Sequence, residues 1–297
     1  MDGLLVIDKP EGLTSFDVVA EVRRHLHLKK AGHTGTLDPM ATGVLPVCLG
    51  DATRLVPFIV EGEKAYEATV RLGAATDTQD RTGKIVSEAP VPPLTAEQIE
   101  PVLARFRGEI DQAPPMYSAV RVAGKRLYEL AREGKQVERA TRKVTVHALT
   151  LAALELPRLR LSVRCSKGTY VRTLAHDIGE ALGCHAHLSA LRRTESGGFT
   201  LDQAVPLGAL RQMAPEEVTS RILTPNQALS CLPAVQLPAA LAAKVPKGQT
   251  LPVEDLKAQP LPEGRRVRLV SEAGDLLAVA EWKNGGLSYV RVLVRSG

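Results

Sequence analysis

The chain has 297 residues, 38 of them basic and 33 acidic, for a formal net charge of +5. Hydrophobic residues make up 44% and charged residues 24%, which excludes disordered and fibrous classes. The length suggests two domains, or one large one with an appendage, and is enough to bury a sizeable core. Aromatic residues are only 3%, so that core is aliphatic and each of the five tyrosines stands out. The cysteines, Cys48, Cys165, Cys184 and Cys231, include no C-x-x-C pair, which points to a reduced, cytoplasmic protein. MDGLLVIDKPEG has no basic n-region and does not read as a secretory signal. No apolar run approaches the roughly 18 residues of a membrane helix, so no membrane partner is expected.

In chain order, residues 3–8 read as a short buried strand stopped by Lys9-Pro10. Thr14 or Ser15 caps a helix to about His27, with Val18, Val19, Val22 and Leu26 as its apolar stripe. Residues 31–43, AGHTGTLDPMATG, are too rich in glycine and threonine for a regular element and read as a loop. A strand over 44–49 and a helix over 51–60, capped by Asp51, follow. Residues 64–72 alternate strictly, with Tyr66, Ala68, Val70 and Leu72 on one face. Thr95 and Gln98 form a capping box before an amphipathic helix. Strands are predicted over 143–155 and 159–165, then a helix with Val171, Leu174, Ala175, Ile178 and Leu182 on one face and Gly183 as its stop. Near residue 230 the texture turns rich in Pro, Ala and Leu, and 266–294 offer three short strands. The order lacks strict strand–helix alternation, so the predicted class is α+β.

Residues 121–143 hold eight basic and three acidic side chains, the excess of the whole protein. Such clustering marks either a nucleic-acid surface or a solvated helix. No phosphate loop, H-E-x-x-H or G-x-S-x-G is present. Cys184, His185 and His187 lack a further ligand at workable spacing, so no metal site is expected. What remains is Asp38, in a glycine-dense loop that also holds His33. An Asp before proline is most often a turn former, but glycines let backbone approach a ligand closely. The loop is therefore a candidate site with no reaction class of its own.

Residues 32–54, GHTGTLDPMATGVLPVCLGDATR, resemble the catalytic-loop signature of the TruB family, the bacterial tRNA pseudouridine-55 synthases. Five further segments resemble that family in the right order: LVIDKP (5–10), KAYEATVRLGAATDTQD (64–80), PPMYSAVRVAGKRLYELAREG (114–134), SKGTYVRTLAHDIGEALG (166–183) and AHLSALRRTESGGF (186–199). The resemblance covers about residues 3–200 and is weak beyond.

The resemblance implies a pseudouridine-synthase fold, a mixed, largely antiparallel sheet flanked by helices. It implies a catalytic domain over 1–230 with an RNA-gripping insertion near 114–143, and a small PUA-like β domain over 231–297. The reaction would cleave the N-glycosidic bond of uridine-55 in the TΨC loop of tRNA and rejoin uracil through C5, after the base is flipped out. No atoms are gained or lost, so no cofactor is expected. Asp38 would be the essential carboxylate, either as nucleophile on C1′ or as base at C2′. Arg172 would hold it ionised. Tyr66 would lie against the uracil and take part in proton transfer at C5, Tyr170 would edge the pocket, Leu191 would wall it, and His33 would contact the RNA. Lys9 and Pro10 would support the loop. The expected partner is the T-arm of tRNA, with no DNA, and the chain is expected to be a monomer. A tRNA-binding or tRNA-folding protein without activity is the alternative.

Overall fold

Side chains alternate across a strand, so a strand with one face in a core shows alternating burial. The computed structural model describes residues 1–122, 124–135, 137–252 and 261–293, with the backbone alone at Arg132. Its central sheet is built this way. In chain order it opens with β1 (Gly3–Lys9), α1 (Ser15–His25), β2 (Ala31–His33) and β3 (Thr42–Leu49). A 3-10 turn over Gly50–Leu55 runs into α2 (Val56–Ile59), followed by β4 (Lys64–Leu72), β5 (Ala74–Thr76), β6 (Ile85–Glu88), α3 (Ala96–Ala104) and β7 (Gly108–Gln112). The basic segment forms a small hairpin, β8 (Arg121–Val122) and β9 (Lys125–Arg126), then α4 (Leu127–Arg132). Next come β10 (Arg142–Glu155), β11 (Arg158–Cys165), α5 (Val171–Ala181), β12 (Ala186–Ser196), β13 (Phe199–Thr200) and β14 (Val205–Pro206). Three short helices, α6 (Leu207–Leu210), α7 (Pro215–Ser220) and α8 (Pro225–Ala228), lead to β15 (Ala234–Leu237), α9 (Ala239–Ala242), β16 (Arg266–Ser271), β17 (Leu276–Lys283) and β18 (Gly286–Val292).

The main sheet runs β14-β1-β3-β12-β4-β11-β10-β7, mostly antiparallel. The inward residues of β4 pack with Leu159, Leu161 and Val163 of β11 and with Leu174, Ala175 and Ile178 of α5 in one aliphatic core. Three differences from the sequence reading concern the site. The stretch 31–43 is not wholly loop, because Ala31–His33 pairs with Val47–Leu49 of β3. The helix expected over 51–60 begins as a 3-10 turn over Gly50–Leu55, whose cap position is Leu49 and not Asp51. Pro57 opens the short α2 that follows.

The third difference is β12, unforeseen in the sequence and central in the sheet. It pairs with β4 from Ala186 opposite Leu72 to Ser196 opposite Lys64, with irregularities at Leu188/Ala190 and Arg193/Glu195. It meets β3 only at Arg192–Thr42 and Arg193–Gly43. Gly43 makes that crossing possible. Its φ is +102°, and a Cβ there would fall 2.2 Å from the carbonyl oxygen of Arg193. Since β2 and β12 share one edge of β3, the sheet parts beyond the crossing, and the loop 34–41 returns from β2 to β3 across the opening.

The C-terminal sheet runs β15-β16-β17-β18, one strand more than expected, with β15 parallel to β16. It is not separate from the rest. Leu276 and Val279 share an apolar cluster with Leu4, Val6, Phe58, Phe199 and Leu229. Among the described residues, no helix is long and apolar enough to cross a membrane.

Candidate active site

The loop 34–41 is pinned from three sides by groups that bond its backbone. The hydroxyl of Ser15, first residue of α1, accepts from Leu37 N at 2.8 Å and donates to Leu37 O at 3.1 Å. Lys9, fully buried at the end of β1, donates to the carbonyls of Ala41 at 2.7 Å, Pro10 at 2.8 Å and Pro39 at 3.3 Å. Arg193 of β12, also buried, donates from Nη2 to Gly35 O at 3.1 Å, from Nη1 to Thr36 O at 3.4 Å and from Nε to Val44 O at 2.7 Å. Buried cations that satisfy several carbonyls make a rigid mount, because each would be costly unpaired.

Asp38 stands on this mount, with a third of its side chain open to solvent. Arg172, the second residue of α5, faces it with two nitrogens, Nε at 2.9 Å from Oδ2 and Nη2 at 3.4 Å from Oδ1. Arg172 is itself buried, its side chain 5% exposed, and not the exposed helix residue its position suggests. Its remaining donors go to Thr78 O and Tyr117 O, both at 2.9 Å. Behind it lies Asp80, buried, with Oδ2 at 3.7 Å from Nη1. Thr82 N and the hydroxyls of Thr78 and Thr82 donate to the other oxygen of Asp80 at 2.9, 2.8 and 2.6 Å.

Two carboxylates thus compete for one guanidinium. Burial pushes the Asp38 carboxyl above the ordinary carboxylate range, and Asp80 adds to the rise, while Arg172 and Lys9 pull the other way. The sequence reading had Arg172 holding Asp38 ionised. The pair is present, and Arg172 pulls toward the charged form against the burial of the carboxyl. Burial also brings the Lys9 amine down to about 8.

Tyr66 is buried on β4 directly opposite Arg193 of β12. Burial pushes its hydroxyl up, and the guanidinium of Arg193 pulls it down. Tyr170 precedes α5 and is half-buried, its backbone clasped by Gln112, whose amide accepts from Tyr170 N at 2.8 Å and donates to Tyr170 O at 3.1 Å. The guanidinium of Arg142 lies 4.8 Å from the Tyr170 ring centre. Leu191 is buried in the core and lines a cavity of about 380 Å³ together with Met40, Thr42 and Thr69. Asp38, Tyr66 and Arg172 do not line that cavity. His33, at the end of β2, accepts from Gly35 N through Nδ1 at 3.3 Å, and burial with Arg193 nearby lowers its pKa. Asp38 and Arg172 therefore meet in the fold, Tyr66 joins the mount through Arg193, and His33 lies at the loop's entry. Asp80 and Arg193 were missed in the sequence. The available sign of the first was its place as the last residue of the segment 64–80 that resembles the family.

Cys184, His185 and His187 do not converge. His185 Nδ1 bonds Glu180 at 2.6 Å and His187 Nδ1 bonds Ala74 O at 2.8 Å. No metal-binding cluster of three occurs among the described residues.

Three family profiles align along the chain. The N-terminal domain of the TruB family pseudouridylate synthases matches residues 23–171, the C-terminal domain of tRNA pseudouridylate synthase B matches 172–229, and the C-terminal region of pseudouridine synthase II TruB matches 233–294. The chain belongs to the TruB family of pseudouridylate synthases. It is 47% identical to the tRNA pseudouridine synthase B of Geobacter sulfurreducens, over 95% of this chain and 93% of that one. To that of Burkholderia pseudomallei it is 48% identical, over 99% and 97%. Among solved structures it is similar to one titled as a Cbf5-Nop10-Gar1 complex, with a TM-score of 0.79 and 29% identity over 99% of this chain and 85% of that chain. It is similar also to one titled as an H/ACA RNP bound to a substrate RNA containing 2′-deoxyuridine, at a TM-score of 0.76 and 27% identity over 98% and 85%. As a TruB-family enzyme the chain is an isomerase, and the loop mounted on Lys9, Ser15 and Arg193 lies within the matched N-terminal domain.

Proposed function

We propose that this tRNA pseudouridine synthase takes the T-arm of tRNA and isomerises uridine-55 of the TΨC loop, with Asp38 as the essential carboxylate. The observation that supports this most is the two-point contact between Asp38 and Arg172 on a loop whose backbone is held by buried cations. Such a carboxylate is aimed before substrate arrives, which is what positioning requires. In its ionised form it attacks C1′ or removes the C2′ proton, and both routes release uracil by cleaving the N-glycosidic bond. Tyr66 then flanks the freed base and accepts the proton of C5 once the new C1′–C5 bond exists. Tyr170 borders the pocket, Leu191 walls it, and His33 contacts the RNA from the loop's entry.

In this reading residues 1–230 form the catalytic domain and 231–297 a PUA-like RNA-binding domain. The insertion around 114–143 closes on phosphates of the arm, its root joined to the site where Tyr117 O accepts from Arg172. The protein acts as a cytoplasmic monomer. The test is Asp38→Asn, followed by tritium release from C5-labelled uridine in tRNA. Turnover should vanish, while tRNA binding stays within about tenfold, because phosphate contacts supply most of the affinity. Turnover above a few per cent of the parent would remove Asp38 from the chemistry.

A further inference from the structure

Arg193 is a full positive charge placed where solvent cannot reach it, on the central strand, between the two halves of the site. Taking an unpaired guanidinium out of water costs several kcal/mol, so its partners define its purpose. Three are carbonyls, those of Gly35, Thr36 and Val44, at 3.1, 3.4 and 2.7 Å. The fourth neighbour is Tyr66, directly across the strand pair, whose phenol acts on the charge of the guanidinium. Carbonyls carry no net charge; beyond the four, Asp38 acts on the guanidinium as an anion, Lys64 opposes it as a cation, and His33 and Cys165 also lie within reach of the pair's charge. The phenol is the one group of the four that can become an anion.

We infer that Arg193 is a positioning residue for proton transfer, holding Tyr66 by its hydroxyl and stabilising the phenolate that takes the C5 proton of the rotated uracil. This rests on the role of Tyr66 proposed above. Once C1′ is joined to C5, that carbon still carries its hydrogen. The C5–H bond breaks, the proton passes to the oxygen of Tyr66, and the electron pair restores the C5=C6 double bond. Tyr66 first gives its own proton to solvent, solvent protonates N1, which lost its bond to C1′, and the phenolate recovers a proton from C5, so the isomerisation balances. The phenolate must form in a buried place that disfavours charge, and Arg193 is the cation beside it. The same guanidinium grips Gly35 and Thr36, so the oxygen that receives the proton is tied to the loop that bears Asp38.

The test is a double-mutant cycle in single-turnover kinetics, with tRNA binding measured in parallel. Arg193→Lys keeps the buried charge, and with it the fold, but cannot reach the phenol and three carbonyls together. Tyr66→Phe removes the hydroxyl. Tyr66→Phe alone should slow turnover by about a hundredfold or more, the usual contribution of a proton-transfer group. Arg193→Lys alone should slow it about tenfold for each unit by which the phenol becomes harder to ionise, with tRNA affinity unchanged. In the Tyr66→Phe background Arg193→Lys should cost only what the lost carbonyl contacts to the loop cost, clearly less than it costs beside Tyr66, and only the variants that keep Tyr66 should respond to raised pH. Multiplying losses would mean that Arg193 acts independently of Tyr66, which overturns the inference and leaves the role of Tyr66 standing. A Tyr66→Phe enzyme at full speed would instead overturn that role, and this inference with it.

Discussion

Arg172 and Lys9 oppose the burial of Asp38, and Arg172 is the nearer charge, in contact with both carboxylate oxygens. On the role proposed for Asp38 the reaction uses its ionised form, so turnover falls as the pH drops through the pKa of Asp38. Burial holds that pKa above the usual value, so the acid limb of the rate profile begins above the ordinary carboxylate range. Removing Arg172 takes away a charge that lowers it, and the limb moves to still higher pH. Arg172→Met should therefore shift the acid limb upward, with its largest rate deficit at the acid end, and a profile displaced downward would contradict this. Asp80→Asn should do the reverse, since Asp80 raises the pKa of Asp38. These residues also mark how far the sequence can be read. Asp38 stood out because its loop is glycine-dense. Lys9 and Arg193 look like ordinary surface cations, since their burial depends on carbonyls contributed by distant strands, and no local pattern records that. Arg172 occupies the first turn of a helix, where the pattern of apolar neighbours left its side unspecified.

The basic segment shows what charge counting misses at the level of an element. Glu133 pairs with Lys125 and Lys135, Lys143 pairs with Glu109, and Arg139 and Arg142 bond the carbonyls of Pro114 and Gly168. Part of the excess is thus engaged within the protein, the ion pairs among these contacts being exposed ones that stabilise little. The β8–β9 hairpin nevertheless presents Arg121, Lys125 and Arg126 to solvent. Replacing these three by Gln should weaken tRNA binding and flatten its dependence on salt. The slope of log K against log salt should fall by roughly 0.7 to 0.9 for each phosphate that is no longer neutralised. An unchanged slope would make the hairpin a solvated face. Arg126→Gln would also test the stacking of its guanidinium over Tyr128, 5.8 Å from the ring centre. Among strands, β4 and β11 were legible because their alternation is unbroken. β12 was not, because two irregularities shift its inward set from Ala186 and Leu188 to Leu191 and Arg193. A period-two pattern does not survive such shifts.

At the scale of the whole molecule, the C-terminal sheet is fastened to the catalytic one through apolar contact. Leu229, fully buried, lies in the cluster that joins Val279 and Leu276 to Leu4 and Phe58. Leu229→Ala should lower stability by about 2 to 5 kcal/mol, as large-to-small changes in cores do. If the two sheets unfold as one unit, urea melts of parent and variant keep a single transition at a lower midpoint. A second transition in the parent would mean that this cluster does not couple them. The three short strands near the C-terminus were legible from their turn residues. β15 was not, since it lies in a stretch dominated by Pro, Ala and Leu and is recognisable only by its parallel partner β16.

The place of β12 bears on the order in which the enzyme comes into being. As the chain is synthesised, β1 and β3 can pair early, and β4 finds β11 and β10 afterwards, so two part-sheets form with Asp38 on one and Tyr66 on the other. The strand that lies between them arrives only after α5, and it brings Leu191 and Arg193 with it. Closing a sheet with a late central strand means forming contacts of long sequence separation, which is slow compared with local pairing. Until that strand seats, Asp38 and Tyr66 belong to different pieces. A nascent chain released before β12 could fold its halves and still have no site, so activity appears only when the strand between them is in place.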